Sequence, residues 1–307
     1  MNVIEEAALS IGGSDELALA CHVGPDGDAL GSMLGLGLAA RAAGKRVVAS
    51  FGSPFVVPRN FEFLPTDLLI PPSEFPDSPD LMVVFDVGSA GRLGELDVTA
   101  GKASKLIVID HHVTNEGFGD IAVVDPEAAA TAVLVVKVLK VLEWPVTEDV
   151  ANCLLTAIIT DTGRFQYANT RPDTLRLAAD LVAAGANPTE IARHVYEQAP
   201  FGYLKAAGAA LSRAELDLEL GLVSTVLTQD DLNEAAIDWS DTDNLLGTLR
   251  LAEEADTAVV VKVHGDGVIK VSLRSRGATD VGSLAAALGG GGHRLASGFT
   301  RKMLPAE

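Results

Sequence analysis

The 307-residue chain has two cysteines, Cys21 and Cys153, and no CxxC pair. That rules out a disulfide framework and a structural metal held by thiolates, and both thiols read as small core residues in a reducing compartment. Positive charge is also scarce. Lys and Arg total 23 against 42 Asp and Glu, a formal net charge of −19. Such a balance opposes sliding along long nucleic acid, which is driven by phosphate neutralisation. A short anionic ligand remains compatible where basic residues gather locally, and part of the acidic excess suits metal ligation. No uncharged apolar run approaches the ~18 residues of a membrane span. The N-terminal "MNVIEEAALS" carries Glu5 and Glu6 where a signal peptide needs Lys or Arg. These absences predict a soluble, cytoplasmic protein without membrane partners. No internal repeat or low-complexity tract occurs.

Apolar residues make up 48% of the chain, ample for a core, and the length predicts two domains. Strand-like segments at 16–22, 45–51, 80–87 and 105–110 alternate with helix-like ones at 28–44, 127–143 and 147–160. Strands separated by helices imply βαβ units and a mostly parallel sheet. The Pro-rich stretch 64–80 reads as a surface connection. The pattern from Pro172 to Arg213 is helical, with 185–213 as a linker. Beyond it, strands are predicted at 219–228, 257–264 and 267–275, with helices at 241–254 and 280–288. The predicted fold class is therefore α/β. Its parts are an N-terminal, mostly parallel sheet flanked by helices (1–184), a helical linker (185–213) and a smaller C-terminal α/β domain (214–307).

Acids and imidazoles recur at the ends of the apolar segments. His22 closes the first strand in "CHVGPDGDALGS", with Asp26 and Asp28 on the following turn. Asp86 ends a second strand in "VVFDVGSAGR", and Asp110, His111 and His112 end a third in "VIDHH". Asp161 ends an apolar helix in "AIITDTGRFQ". Taken singly, a strand-end Asp is a turn residue or helix N-cap. Five separate elements delivering such groups to one sheet edge make a site, because open parallel sheets bind ligands outside the carboxyl ends of their strands. Oxygen and imidazole donors without thiolate favour Mn²⁺, Co²⁺ or Mg²⁺. His-x-x-x-Asp-x-Asp can divide its ligands between two neighbouring ions, with a carboxylate from another strand as bridge. Without cations, acids this close would raise one another's pKa.

These motifs, in order, resemble those of the DHH phosphoesterase superfamily: "HVGPDGDALGS", "FDVGSAGRLG", "IDHH" and "TDTGRFQYANT". The C-terminal "GGGGHRLASG" resembles the DHH-associated substrate domain, and together the matches span residues 22 to 298. The subgroup most similar is the short nanoRNase and pAp-phosphatase type. The resemblance implies hydrolysis of short RNA or DNA oligonucleotides, of linear or cyclic dinucleotides, or of pAp to AMP. It implies two divalent cations, Mn²⁺ foremost. His22, Asp26 and bridging Asp86 would hold one ion; Asp28, Asp86, His111 and Asp161 would hold the other. Asp110 would orient a histidine, and His112 would stand near the scissile phosphate. No serine or cysteine nucleophile is required, and Ser32 reads as a helix residue.

The second domain reads as a substrate clamp. Gly290, Gly291 and Gly292 would let backbone N–H groups approach an anion, with His293 as a side-chain donor. The run does not match a P-loop. Arg274, Arg276 and Arg294 would contact phosphate, to which the guanidinium fork is suited. Positions 274 and 276 share a face if their strand continues that far. The runner-up readings are a pyrophosphatase or exopolyphosphatase and a non-catalytic nucleotide-binding regulatory module; a long-strand exonuclease fits the charge poorly. The oligomeric state is left open, a homodimer included.

Overall fold

The computed structural model describes residues 2–302, which form two compact units that divide between Glu197 and Gln198. The division falls within the segment read as a linker. Unit 1 runs α1 (Val3–Gly13), β1 (Glu16–Cys21), α2 (Gly27–Ala42), β2 (Arg46–Phe51), β3 (Met82–Phe85), α3 (Leu96–Ala100), β4 (Leu106–Asp110), β5 (Ile121–Val124), α4 (Thr131–Leu142), α5 (Glu148–Asp161), α6 (Pro172–Ala183) and α7 (Pro188–Ala192). Unit 2 continues with α8 (Phe201–Ser212), β6 (Glu215–Asp217), β7 (Leu222–Thr228), α9 (Gln229–Ala235), α10 (Leu245–Leu249), β8 (Thr257–Val263), β9 (Val268–Ser275), α11 (Val281–Ala287), β10 (Gly291–His293) and β11 (Ala296–Lys302). Among the described residues no helix is long and apolar enough to cross a membrane.

Unit 1 is built on a five-stranded, all-parallel sheet of order β2-β1-β3-β4-β5. The central strands β3 and β4 are buried along their whole length, which explains their unbroken Val, Ile, Leu and Phe runs. One core joins α1, α2, α4 and α5, with Leu64 and Leu68, to one face; a second joins α3 and Phe75 to the other. Helix α2 starts at the side chain of Asp26, which accepts from the N–H groups of Asp28 and Ala29. It then runs antiparallel to α5 at very short range. A Cβ on Gly31 would lie 2.3 Å from the carbonyl oxygen of Cys153, and one on Gly27 would strike Thr160. Only glycine allows this approach, and it brings the first turn of α2 to the last turn of α5.

Unit 2 has a six-stranded mixed sheet of order β10-β11-β9-β8-β7-β6. Several expectations change here. The helix read over 241–254 is a 3-10 turn at Trp239–Thr242 followed by the short α10. Its Ser-Asp-Thr-Asp-Asn run carries side chains that bond local backbone, as Thr242 does to the Trp239 carbonyl. The strand read from 219 begins at Leu222, because Asp217 accepts from the N–H groups of Glu219 and Leu220 and holds a turn there. The strand read to 275 does end at Ser275, so Arg276 lies beyond it. The glycine run passes into edge strand β10, hairpinned to β11. Gly292 has φ +133° and approaches the Ala296 carbonyl so closely that a Cβ would lie 2.5 Å from it.

Candidate metal centre

Strand order 2-1-3-4-5 places a switch point between β1 and β3, where chain connections leave in opposite directions and a crevice opens at the carboxyl ends. His22 follows β1, Asp86 follows β3, and Asp110 and His111 end and follow β4. The three strands are neighbours, so their ends lie side by side. The α2–α5 contact adds Asp28 and Asp161.

Two groups share Asp86. His22 Nε2 is 3.8 Å from Asp26 Oδ1 and 3.6 Å from Asp86 Oδ2. His111 Nε2 is 3.7 Å from Asp28 Oδ2, 3.7 Å from Asp86 Oδ1 and 3.5 Å from Asp161 Oδ2. The two oxygens of Asp86 thus face different histidines. Donor atoms about 2.1 Å from an ion lie roughly 3 Å apart at right angles, so slight contraction of either group fits a cation. Both imidazoles are pre-set for this. His22 Nδ1 donates to the Val23 carbonyl at 3.1 Å, and His111 Nδ1 donates to the Ala128 carbonyl at 3.0 Å. Each Nε2 is therefore the nitrogen turned to the carboxylates, the orientation seen when a ligand histidine has its other nitrogen hydrogen-bonded.

The carboxylates are also braced. Asp28 is buried and accepts from Ser32 Oγ and from the N–H groups of Thr131 and Ala132. Thr131 Oγ1 donates to Asp86 Oδ1 at 3.0 Å. Asp86 itself has φ +58°, a left-handed conformation that Asp tolerates better than most residues but that still stores strain. Asn169 donates to the carbonyls of Asp161 and Ala129. Ser32 and Asn169 fall within the motifs "HVGPDGDALGS" and "TDTGRFQYANT", which by themselves assign them no bonding role, and Thr131 lies outside the motifs.

Electrostatics single out the same place. Burial and the neighbouring Asp86 carboxylate push Asp28 well above the usual carboxylate range. Partial burial, together with Asp86 and Asp26, lifts Asp161 to about 7 against the opposing pull of His111. Burial works against protonated His22 and His111, yet the surrounding carboxylates raise them to about 10 and about 9. Divalent cations relieve this crowding, and the all-oxygen-and-imidazole donor set suits them.

Asp110 does not face His111. It is fully buried, pairs with His112 Nδ1 at 2.6 Å through Oδ1, and accepts from Asn115 Nδ2 at 2.6 Å through Oδ2. His112 Nδ1 also lies 3.5 Å from Asp86 Oδ1. Adjacent histidines thus take different neighbours: His111 the carboxylates of α2 and α5, His112 the buried acid.

In unit 2, Arg274 lies on β9, and its Nη1 donates to the Leu273 carbonyl. Arg276 donates through Nη2 to the Arg250 carbonyl, and Arg294 to the Gly277 carbonyl. Both hydrogen bonds give these two guanidinium groups structural employment. Arg274 shares a cross-strand row with Ala296, next to the β10–β11 hairpin that carries Gly291, Gly292 and His293; Gly290 immediately precedes β10. Asp256, not anticipated, organises this end of the sheet by accepting from Ser275, Ala278 and Thr279.

The family model for the DHH family, N-terminal domain, matches residues 16–158, and that for the DHHA1 domain matches 221–305. A bifunctional oligoribonuclease and PAP phosphatase from Thermus thermophilus is 36% identical, over 99% of this chain and 89% of the relative. A second protein of that name, from Bacillus subtilis, is 29% identical over 92% of this chain and 88% of its own length. An exopolyphosphatase-related protein from Bacteroides fragilis has the same fold, with a TM-score of 0.89 at 24% identity, covering 99% of this chain and 92% of that one.

Proposed function

This chain belongs to the DHH family of metal-dependent phosphoester hydrolases, and from that premise we propose that it hydrolyses short oligonucleotides and dinucleotides and removes the 3′-phosphate of pAp. The names of the relatives that match along nearly its whole length support this substrate class. The observation that carries the reading is Asp86, with one oxygen toward His22 and the other toward His111.

In this reading His22, Asp26 and Asp86 hold one divalent ion; Asp28, Asp86, His111 and Asp161 hold the second. Mn²⁺ is the ion the mixed donor set favours, ahead of Mg²⁺ or Co²⁺. When bound, such a pair supplies a nucleophilic water at neutral pH and neutralises charge on the phosphoryl group. The chain's own residues do the rest. His112, held by Asp110 through Nδ1, is fixed beside Asp86 as a hydrogen-bond and proton donor to a phosphate or leaving oxygen. Against the opposing effect of burial, Asp110 raises the pKa of that imidazole and holds it in one orientation. In unit 2, Arg274, the glycines 290–292 and His293 bind a substrate phosphate, and Arg276 and Arg294 shape the loops around them.

The test is a product-resolved assay of metal-stripped protein on linear dinucleotide, cyclic dinucleotide, pAp and pyrophosphate, before and after Mn²⁺ addition. Mononucleotides from dinucleotide and AMP from pAp are expected only with metal. Turnover confined to pyrophosphate would replace the proposal with the pyrophosphatase reading, and tight nucleotide binding with no turnover would replace it with a regulatory module.

A further inference from the structure

Residues paired across strands point to one side of a sheet, and the pairings of unit 2 leave one strip of its sheet uncovered. Ser297, paired with Leu273, donates to the Val281 carbonyl, so α11 covers the β9–β11 part of one face. On the other face α8, α9 and α10 pack over β7 and β8, against Val223, Leu227, Ala258 and Val260. The β9–β11 part of that face is open: Ser272 and Gly298 are partly exposed, and Lys270, Thr300 and Lys302 are exposed. Four cross-strand rows follow one another along it. The first is His293–Ala296–Arg274, which carries the proposed phosphate contacts. The second, Gly291–Gly298–Ser272, offers a hydroxyl and no bulk. The third is Thr300–Lys270–Lys262. In the fourth, Lys302 pairs with Val268, whose carbonyl accepts from the His264 N–H at 2.8 Å. Successive rows lie two residues apart, about 6.8 Å along the strands, on the order of one extended nucleotide.

Charge and ring chemistry follow the same line. Strands β9, β10 and β11 contain no Asp or Glu, in a chain that carries 42. Lys262 Nζ is engaged by Asp243 at 3.1 Å, whereas Lys270 has no carboxylate partner among the described residues. At the far end His264 stacks on Trp239, with ring centroids 4.2 Å apart. Trp239 is fixed from behind: it packs on the helix-side core, and its Nε1 donates to Gln229 Oε1 at 2.9 Å. His264, partly exposed, is thus the outer member of a ready-made stack. Burial, with Lys270 and Lys262 adding to it against Asp266, holds His264 below its ordinary pKa, so the ring is neutral at neutral pH.

We propose that this strip is a distal subsite for the nucleotides of a single strand beyond the first two, with Lys270 and Lys302 on a phosphate and His264 under a base. It rests on the reading of Arg274 and His293 as phosphate contacts. Counting from the phosphate held there, the next lies over the Ser272 row, and the one after reaches Lys270 and Lys302. The base beside that phosphate stacks on His264. A single strand suits this surface because its bases are free to stack, and a basic groove with an aromatic platform holds such strands without reading their sequence. A duplex, whose bases are already stacked inside, cannot use His264. The track ends there, since Asp266 lies in the turn just past His264. The consequence is selection by length: a tetranucleotide engages the strip, and a dinucleotide ends before the Lys270 row.

The test compares two substrates on the full Mn²⁺-loaded chain: the ratio of kcat/KM for the first cut of a tetranucleotide to that for a dinucleotide. The ratio should exceed one in wild type. Lys270→Ala should lower it roughly 10-fold, the low end for a charge-assisted phosphate contact. The same variant should make the salt dependence of log kcat/KM for the tetranucleotide shallower by about 0.7, one phosphate contact on a single strand. His264→Ala should lower the ratio about 5-fold or more, the low end for one stacked base, and His264→Phe, which keeps a ring, should restore it. Metal content and dinucleotide turnover should match wild type in all three. Lys205→Ala, an exposed lysine on α8, should leave the ratio unmoved. A ratio indifferent to both Lys270→Ala and His264→Ala, or equal losses on the two lengths, would overturn the subsite and leave the hydrolase reading standing. If the loaded chain cuts neither substrate, the hydrolase reading falls instead, and calorimetric affinities of the two oligonucleotides for the same variants decide the subsite by the same ratio.

Discussion

Asp86 is shared by both candidate ion groups, and its position is bought with a left-handed backbone at the end of β3. Asp86→Ala should therefore empty both groups, whereas Cys21→Ala and Cys153→Ala, at buried packing positions, should keep metal and most activity. Loss of a preorganised charge stabiliser costs about 10²–10³ in kcat, and loss of two ions should exceed that. Metal content by mass spectrometry beside kcat/KM checks it; comparable losses in all three folded variants would contradict the assignment. His112→Asn should differ in kind. Metal should remain bound while kcat falls roughly 10²–10⁴-fold, the range for a general acid or base. At this scale most of the centre could be read from the sequence, since strand-end Asp and His residues are visible as breaks in apolar runs. Thr131 could not, because its hydrogen bonds reach Asp86 and Asp28 across 45 and 103 residues; Ser32, Asn115 and Asn169 lie close in sequence to Asp28, Asp110 and Asp161, but only the fold selects the groups they bond.

The α2–α5 pair sets the distance between Asp28 and Asp161. Gly31→Ala would push a methyl into the Cys153 carbonyl, a backbone atom that cannot swing aside. Overpacking of this kind costs about 1–3 kcal/mol, and lower affinity for the ion shared by Asp28 and Asp161 should accompany the loss. Gly247→Ala in α10 meets nothing within 4 Å and should be neutral or stabilising by up to ~1 kcal/mol. Thermal unfolding and metal titration of both variants compare them directly. A second element-scale prediction concerns Asp256. Burial opposes its ionisation, but hydrogen bonds from Ala278, Thr279 and Ser275 outweigh that and hold it well below the usual carboxylate range. A depressed folded pKa means the stabilisation is present above the unfolded value, ~3.9, and is lost as pH falls through the folded one. Asp256→Asn should cost about 1–2 kcal/mol near neutrality, with the difference from wild type shrinking in acid. A difference independent of pH would remove the charge from the explanation. The parallel strands were legible from their uniform Val and Ile runs. The edge strands β5, β6 and β10 were not, being short or glycine-rich with no clear alternation, and α10 was overextended because its polar approach favours local turns.

Over the whole molecule the proposed function assigns chemistry to unit 1 and substrate capture to unit 2. Unit 1 holds the carboxylates and imidazoles; unit 2 holds Arg274 and the β10–β11 hairpin. Arg274→Ala should leave metal content unchanged and lower kcat/KM for dinucleotide by roughly 10- to 150-fold, the equivalent of a ~1.5–3 kcal/mol charge-assisted contact. A small generic phosphodiester that needs no such grip should be affected much less; equal losses on both would remove the arginine from substrate binding. The two-unit plan was visible as a change from strand–helix alternation to a helical stretch and back, but the boundary was blurred because α6, α7 and α8 read as one helical run, although α8 packs into the core of unit 2. The central claim is that Asp86 joins two cation sites that together perform hydrolysis. Titration of Mn²⁺ into chelator-stripped protein, with dinucleotide turnover followed at each addition, tests it most directly. Activity should be absent at the start and rise to a plateau at two ions per chain; full turnover in the stripped protein, or a plateau at one ion, would contradict it.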